Sequence, residues 1–346
     1  MNDRVEALRA AHSATILAFE SSCDETAVAI VRDGRKILAN QVLSQIDRHA
    51  VFGGVVPEIA SRMHVEALDP LLDAALQEAG MTLADVDAVA VTCGPGLVGA
   101  LLTAVSYAKA LAYARGLPLV AVNHIEGHVS ANYLAHPELE PPFACLVASG
   151  GHSHIVLVED YTTYRVLGQT RDDAAGEAFD KVARVLGLGY PGGPKIDAAA
   201  KNGDEDMVEF KKVSFGAGSL DFSFSGIKTG VMNYIHTLEQ RGEPYKIEDI
   251  AASFQKSVVE VLTDHLLEAA KREGVSKIAL AGGVACNTRL RREIETRKSN
   301  LDFYCPEPIL CTDNAAMIAS SAYYEAAAGH FADMALNAVP YLEIDT

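Results

Sequence analysis

The segment His124-Ile125-Glu126-Gly127-His128 places two imidazoles four residues apart. On a helix that spacing is a rotation of about 400°, so both rings share one face. Neutral imidazole is the commonest metal ligand. Two ordinary hydrogen-bonded histidines can show the same spacing, so context has to decide. The pair opens a helix directly after the apolar strand expected at 118–122. Asp313 holds the equivalent place in the second half, opening a helix after the strand near Cys305. Two imidazoles from one half and a carboxylate from the other make a three-ligand set with open positions for water or substrate. That donor mix suits Fe(II) or Zn(II). Zincin proteases instead use HExxH, with the general base beside the first histidine. Here Glu126 stands two residues after His124, turned about 200° away on a helix. A metalloprotease reading therefore lacks its base.

Glycine-rich turns are the second signal. Ala148-Ser149-Gly150-Gly151-His152 joins two expected strands, and backbone amides in such a turn can cradle phosphate or carboxylate oxygens. Glu20-Ser21-Ser22-Cys23-Asp24-Glu25-Thr26 holds the matching place in the first half. Its acidic pair, Asp24 and Glu25, cannot cradle an anion unaided, but could hold a cation or orient a water or amine. Each turn alone reads as an ordinary hairpin; the two at equivalent places point to a nucleotide cleft. Gly282-Gly283 follows a strand and precedes a helix, with Asn287 offering a donor and an acceptor to a base or ribose. Glu177 and Asp180 share one helix face, and Asp180 and Asp197 suit ribose hydroxyls, although carboxylates near a helix N-terminus are common without a ligand. No serine or cysteine nucleophile has its base nearby in sequence, and no GxxxxGK[ST] loop occurs.

The elements that must position these groups repeat. The first half runs as strands at 15–19, 27–32 and 36–42, a helix from Pro57 to Ala79, a strand at 87–92, a helix at 97–115, a strand at 118–122 and a helix from His124. Gly80 and Gly116 close the two long helices. The second half repeats that order, with strands at 143–148, 155–159 and 164–169. Helical segments follow to Gly187 and at 196–201, then a looser stretch at 215–227. A long helix spans 247–273, a strand 277–281, a helix 288–298, a strand 302–305 and a last helix 313–328. The repeat is one of supersecondary units, not of residues. Mixed sheets with helices on their faces bury both halves. Ligands of such sheets sit at the carboxyl ends of the strands, where every glycine-rich turn falls.

Composition sets limits. A chain of 346 residues, about half of them hydrophobic, forms two domains or one large one with a sizeable core. No apolar run approaches the ~18–20 residues of a membrane helix. Residues 1–14 are charged and lack an apolar signal core, so a cytoplasmic protein is expected. The six cysteines include no CxxC pair, which argues against a disulfide scaffold or a cysteine-only zinc site. The net charge of −17 excludes nucleic-acid binding through the overall field. RNA contact would need a local patch or a partner. Arg289, Arg291, Arg292, Arg297 and Lys298 form one candidate patch, or a solvated helix face beside Glu293 and Glu295.

Taken in order from residue 20 to 317, ESSCDET, SRMHVEAL, CGPGLVGAL, NHIEGH, SGGHSH, DDAAGEAFDKVARVLGLGYPGGP, FSFSGIKT, AGGVACN and CTDNAAM resemble one family. That is the TsaD family, also called Kae or OSGEP, in its bacterial form. The resemblance covers nearly the whole chain, with residues 1–14 as an extension before the usual start. It implies the ASKHA fold (actin/hexokinase/Hsp70-like), an α/β architecture of two duplicated lobes with mixed sheets flanked by helices. The lobes would be 1–140 with 315–346, and 141–314. It implies transfer of a threonylcarbamoyl group from threonylcarbamoyl-AMP to N6 of adenosine 37 of tRNAs reading codons that begin with adenine. It implies one Fe2+ per subunit, or Zn2+ in vitro, on His124, His128 and Asp313. Val147, Ala148, Ser149, Gly150, Gly151, Asp180, Gly193, Asp197 and Asn287 would bind the adenylate. The implied partners are a smaller paralogue, TsaB, docking on the apolar helices of the first half, and an ATPase, TsaE.

Three activities therefore compete: the transferase, a metalloprotease, and a nucleotide-binding regulator without catalysis or metal. The transferase reading predicts that His124→Ala abolishes transfer to tRNA and leaves the circular dichroism spectrum unchanged. It also predicts that the wild-type protein leaves casein intact on a gel.

Overall fold

The computed structural model describes residues 13–216 and 218–344. The sequence expectation for residues 1–14 falls mostly outside them. Contacts divide the chain into two units. The first runs to Pro141 and includes Glu159–Tyr164 and the chain from Ile309 onward. The second comprises Pro142–Val158 and Arg165–Pro308.

The sheet of the first unit has β1 (Thr15–Glu20), β2 (Glu25–Arg32), β3 (Lys36–Ser44), β4 (Ala88–Gly94) and β5 (Leu119–Asn123), in the order β3-β2-β1-β4-β5. β2 runs antiparallel to β1 and β3, whereas β1, β4 and β5 are mutually parallel. Strands buried on both faces read as continuous apolar runs, as here. The strand period of two still sorts the side chains. Leu17, Phe19, Val28 and Ile30 face α2 (Pro57–Ala79) and α3 (Val98–Arg115). Ile16, Ala18, Ala27 and Ala29 face α4 (His124–Ala135) and α11 (Ala315–Ala328). A short helix α1 (Ile46–Ala50) links β3 to α2. Gly80 and Gly116 take left-handed conformations and close α2 and α3, as their positions predict.

The second unit repeats that order: β6 (Phe143–Ala148), β7 (Ser153–Asp160), β8 (Thr163–Gln169), β9 (Lys277–Ala281) and β10 (Asp302–Tyr304) lie as β10-β9-β6-β7-β8. Its helices are α5 (Ala175–Val185), α6 (Gly192–Ala200), α7 (Ser225–Arg241), α8 (Ile247–Glu273) and α9 (Thr288–Arg297). α8 packs on β6 and β9, and its Phe254 meets Phe179 of α5 edge-on at 5.2 Å. The sequence reading left α7 out. Gly226, Gly230 and a polar composition weaken its helical signal, and its apolar residues Ile227, Val231 and Ile235 find their partners only in the folded unit.

α10 (Pro308–Cys311) and the turn after it lead into α11. Asp313 therefore belongs to the first unit, contrary to the expectation that the carboxylate comes from the other half. The reason is packing: α11 covers the β1 and β5 face beside α4. Gly127 permits the close approach, because a Cβ there would lie 2.6 Å from Ile318 Cδ1. Gly127→Val should destabilise the protein by about 1–3 kcal/mol through overpacking. Denaturant melts should show part of that loss recovered when Ile318→Val is added, a coupling expected of direct neighbours.

Candidate functional site

Asparagine caps pin both segments that carry His124, His128 and Asp313. Asn123 Oδ1 accepts the Ile125 amide at 2.8 Å, so α4 starts at His124. Asn314 Oδ1 accepts the Met317 amide at 3.0 Å, so α11 starts directly after Asp313 and Asn314. His124 and His128 follow one turn apart, their rings edge-to-face at 4.6 Å. Asp313 Oδ1 lies 3.5 Å from His124 Nε2 and 3.3 Å from His128 Nε2. One ligand atom from each of the three lies within 4.8 Å of the others.

The donor set fits a divalent cation. His128 is fully buried, and neither ring nitrogen has a partner in hydrogen-bonding geometry; the 3.3 Å approach to Asp313 is proximity without alignment. A buried, unsatisfied imidazole is costly unless something else takes its lone pair. Burial pulls the charge of His124 down, yet Glu20 and Asp313 outweigh it and lift the imidazole to about 9. At His128 burial dominates and lowers it. The pull on a proton at His124 is the pull on any cation among the same atoms.

The β1–β2 turn stands beside this group. Asp24 is buried, and burial together with Asp313 and Asp24 pushes Glu25 up to about 9. Glu25 also accepts a hydrogen bond from Ser44 Oγ at 3.1 Å. His64, on α2, organises the turn: Thr26 Oγ1 lies 2.7 Å from its Nδ1, and its Nε2 lies 3.0 Å from the Cys23 carbonyl. Glu126, the residue a protease would need as base, lies outside the ligand group. Burial and the charge of Glu325 push it up to about 8.

In the second unit, Val147 and Ala148 end β6, and Ser149, Gly150 and Gly151 form the turn to β7. A Cβ on Gly176 would lie 2.5 Å from the Ser149 carbonyl, and one on Gly282 would lie 2.5 Å from the Ala148 carbonyl. The start of α5 and the end of β9 thus close on the same turn. A Cβ at Gly150, Gly151, Gly193 or Gly283 would meet nothing within 4 Å, so these backbones face open space. Asp180 accepts the Gly192 amide at 2.6 Å, which holds the loop before α6. Asp197 receives Thr288 Oγ1 at 2.9 and 3.0 Å. Asn287 caps α9 through its Oδ1 and donates to Gln255 Oε1 at 2.7 Å.

Residues 36–320 match the family model described as TsaD: tRNA N6-adenosine threonylcarbamoyltransferase. The chain is 57% identical over 331 residues to a protein of that name from Clostridium perfringens, covering 95% of this chain and 98% of the relative. A Clostridium botulinum relative of the same name is 55% identical over 334 residues, covering 96% and 98%. The chain belongs to the TsaD family. It is accordingly a transferase that modifies adenosine N6 of tRNA. Two solved structures share its fold. HypF of T. kodakarensis aligns with a TM-score of 0.63 at 14% identity, over 91% of this chain and 47% of that one. The activator of 2-hydroxyisocaproyl-CoA dehydratase from Clostridium difficile aligns at 0.52 and 17%, over 91% and 95%. At such identities the likeness is one of fold, and the fold is ASKHA-like.

The basic cluster of this TsaD protein is not an open patch. Arg289 pairs with Glu205 and Glu293, Arg297 with Asp264 and Glu293, and Lys298 with Glu295. Arg291 donates to the carbonyls of Ala285 and Pro306. Exposed Arg292 remains. Sequence reasoning passed over two buried groups, Glu20 and His64. A glutamate ending the six-residue buried strand TILAFE was the available signal for the first. No helix among the described residues is long and apolar enough to cross a membrane.

His64 is buried with its basicity lowered, burial outweighing its carbonyl partner. The unfolded chain therefore binds a proton more tightly there, and stability rises with pH up to the ordinary imidazole value. Thermal melts should show stability lost as pH falls below about 6.5. His64→Gln should show a smaller loss over the same interval.

Proposed function

We propose that this transferase moves the threonylcarbamoyl group of threonylcarbamoyl-AMP to N6 of adenosine 37, in tRNAs reading codons that begin with adenine. The observation that carries the proposal is the convergence of His124, His128 and Asp313 in a chain of this family. These three would hold one divalent cation per subunit, Fe2+ natively, with Zn2+ as a substitute in vitro. A cation so held would supply Lewis acidity to the threonylcarbamoyl oxygens.

The donor is a mixed anhydride and already activated, so no protein nucleophile is required. The adenosine amine attacks the carbamoyl carbonyl, an N–C bond forms, and the C–O bond to phosphate breaks. AMP leaves and the amine gives up a proton. The protein's part is positioning. Val147, Ala148 and the turn Ser149, Gly150 and Gly151 would receive the adenylate near its developing negative charge. Asp180, Gly193, Asp197 and Asn287 would hold the nucleoside, and Asp24 or Glu25 would orient the attacking amine.

The net charge of −17 supports a shared RNA site, with TsaB and TsaE as the working partners in the cytoplasm. An apolar groove of about 500 Å³ between α2 and α3, lined by Val65, Leu68, Leu102 and Tyr107, supports docking of TsaB there. Val65, Val98 and Leu102 on these helices are exposed.

A reconstituted assay tests the proposal. The protein is mixed with threonylcarbamoyl-AMP, unmodified tRNA, TsaB and TsaE, with and without chelator, and tRNA nucleosides are read by mass spectrometry. Chelator-sensitive threonylcarbamoyladenosine is expected. Product that ignores chelator would reduce the His–Asp group to a structural role. No product, with active partners verified, would favour the regulator.

A further inference from the structure

Glu20 ends β1 and is fully buried. A carboxylate in that position must be paired and hydrogen-bonded to persist. Its Oε1 accepts the Ser22 amide at 2.5 Å, and its Oε2 accepts Thr92 Oγ1 at 2.5 Å. Oε2 also lies 3.1 Å from His124 Nδ1. An ionised carboxylate only accepts, so the proton of that last bond sits on Nδ1. With Nδ1 protonated, a cation has only the Nε2 proton to displace, and the lone pair so freed lies on the side of Asp313 Oδ1.

The charges point the same way. Two neutral imidazoles and one carboxylate carry a single negative charge, one short of a divalent cation. Glu20 supplies the second from directly behind His124, within the buried region. A histidine ligand held by a carboxylate through its other nitrogen is a recurrent way to fix the tautomer and strengthen the donor. β1 and β4 run parallel, with Phe19 opposite Val91, so Thr92 is set beside Glu20 by strand register. The sheet itself therefore aims the carboxylate.

We infer that Glu20 is a positioning residue of the His124–His128–Asp313 centre: it fixes His124 as the Nδ1–H tautomer, directs Nε2 to the ion and balances the charge of the bound cation. This rests on reading the three residues as a metal centre. Glu20→Gln removes the charge and puts an amide donor among the Ser22, Thr92 and His124 donors. Ser22 Oγ, 3.2 Å from the same Nδ1, is the competing partner.

The test is Co2+ and Zn2+ binding to the metal-stripped protein, measured by competition with a chromophoric chelator and by the cobalt visible spectrum. Wild type, His124→Ala, Glu20→Gln, Glu20→Asp and Ser22→Ala are compared, with circular dichroism confirming folding. Glu20→Gln should bind about 10–100-fold more weakly, with an altered cobalt spectrum. Glu20→Asp should lose less, and Ser22→Ala should stay close to wild type. Wild type that binds neither metal would overturn the metal centre itself. Tight wild-type binding with an unchanged Glu20→Gln would overturn only the role of Glu20. A loss in Ser22→Ala equal to that in Glu20→Gln would transfer the role to Ser22. If Glu20→Gln does not fold, Glu20→Asp decides, and affinity equal to wild type would overturn the inference.

Discussion

The close packing of α4 on α11 is the constraint on which the site depends. Gly127 lets Ile318 pack close, a Cβ there lying 2.6 Å from Ile318 Cδ1, and this contact sits between the two histidines in sequence. It holds the first turn of α4 beside the start of α11, where Asp313 waits. Sheet faces and helices pack as rigid layers, so the ligand distances follow from the core. The caps Asn123 and Asn314 complete the arrangement by fixing where each helix begins.

Burial then gives the site its chemistry. Around His124, His128 and Asp313 stand Glu20, Asp24 and Glu25; burial first and Asp313 next raise Glu25, and against burial Glu20 and then Asp313 raise His124. In a low-dielectric interior these charges act strongly on one another and on a cation. His64, joined to Thr26 and the Cys23 carbonyl, keeps the acidic turn from relaxing away. The second unit has the same strand order with a different turn chemistry. Its turn at Ser149, Gly150 and Gly151 carries no acid, and its glycine backbones face open space. Two copies of one topology thus present an acidic turn in one unit and a glycine-rich turn in the other.

Much of this was legible in the sequence. Pro57–Ala79 and Ile247–Glu273 stand where periodicity and their closing glycines put them. The four-residue spacing of His124 and His128 put both rings on one helical face, as found. What escaped was long-range. α7 has glycines and polar residues where a helix signal is read, and only the folded unit supplies partners for Ile227, Val231 and Ile235. The cluster around Arg289 and Arg297 left a basic patch and a solvated helix face beside Glu293 and Glu295 both open, and Glu205 and Asp264, far away in sequence, join Glu293 in pairing with the two arginines.

The sequence by itself determined most of the elements, α7 apart, and the inventory of candidate donor groups, because helix and strand periods and glycine caps act within a few residues. It also carried the family, through motifs spread along nearly the whole chain. Tertiary structure alone decided that Asp313 joins the first unit, since the last helix buries its alanine-rich face on the first sheet. It alone placed Glu20 behind His124, because Thr92 and His124 reach that carboxylate from 72 and 104 residues away. Contacts at such separations depend on strand register and helix packing, which no local pattern of residues encodes.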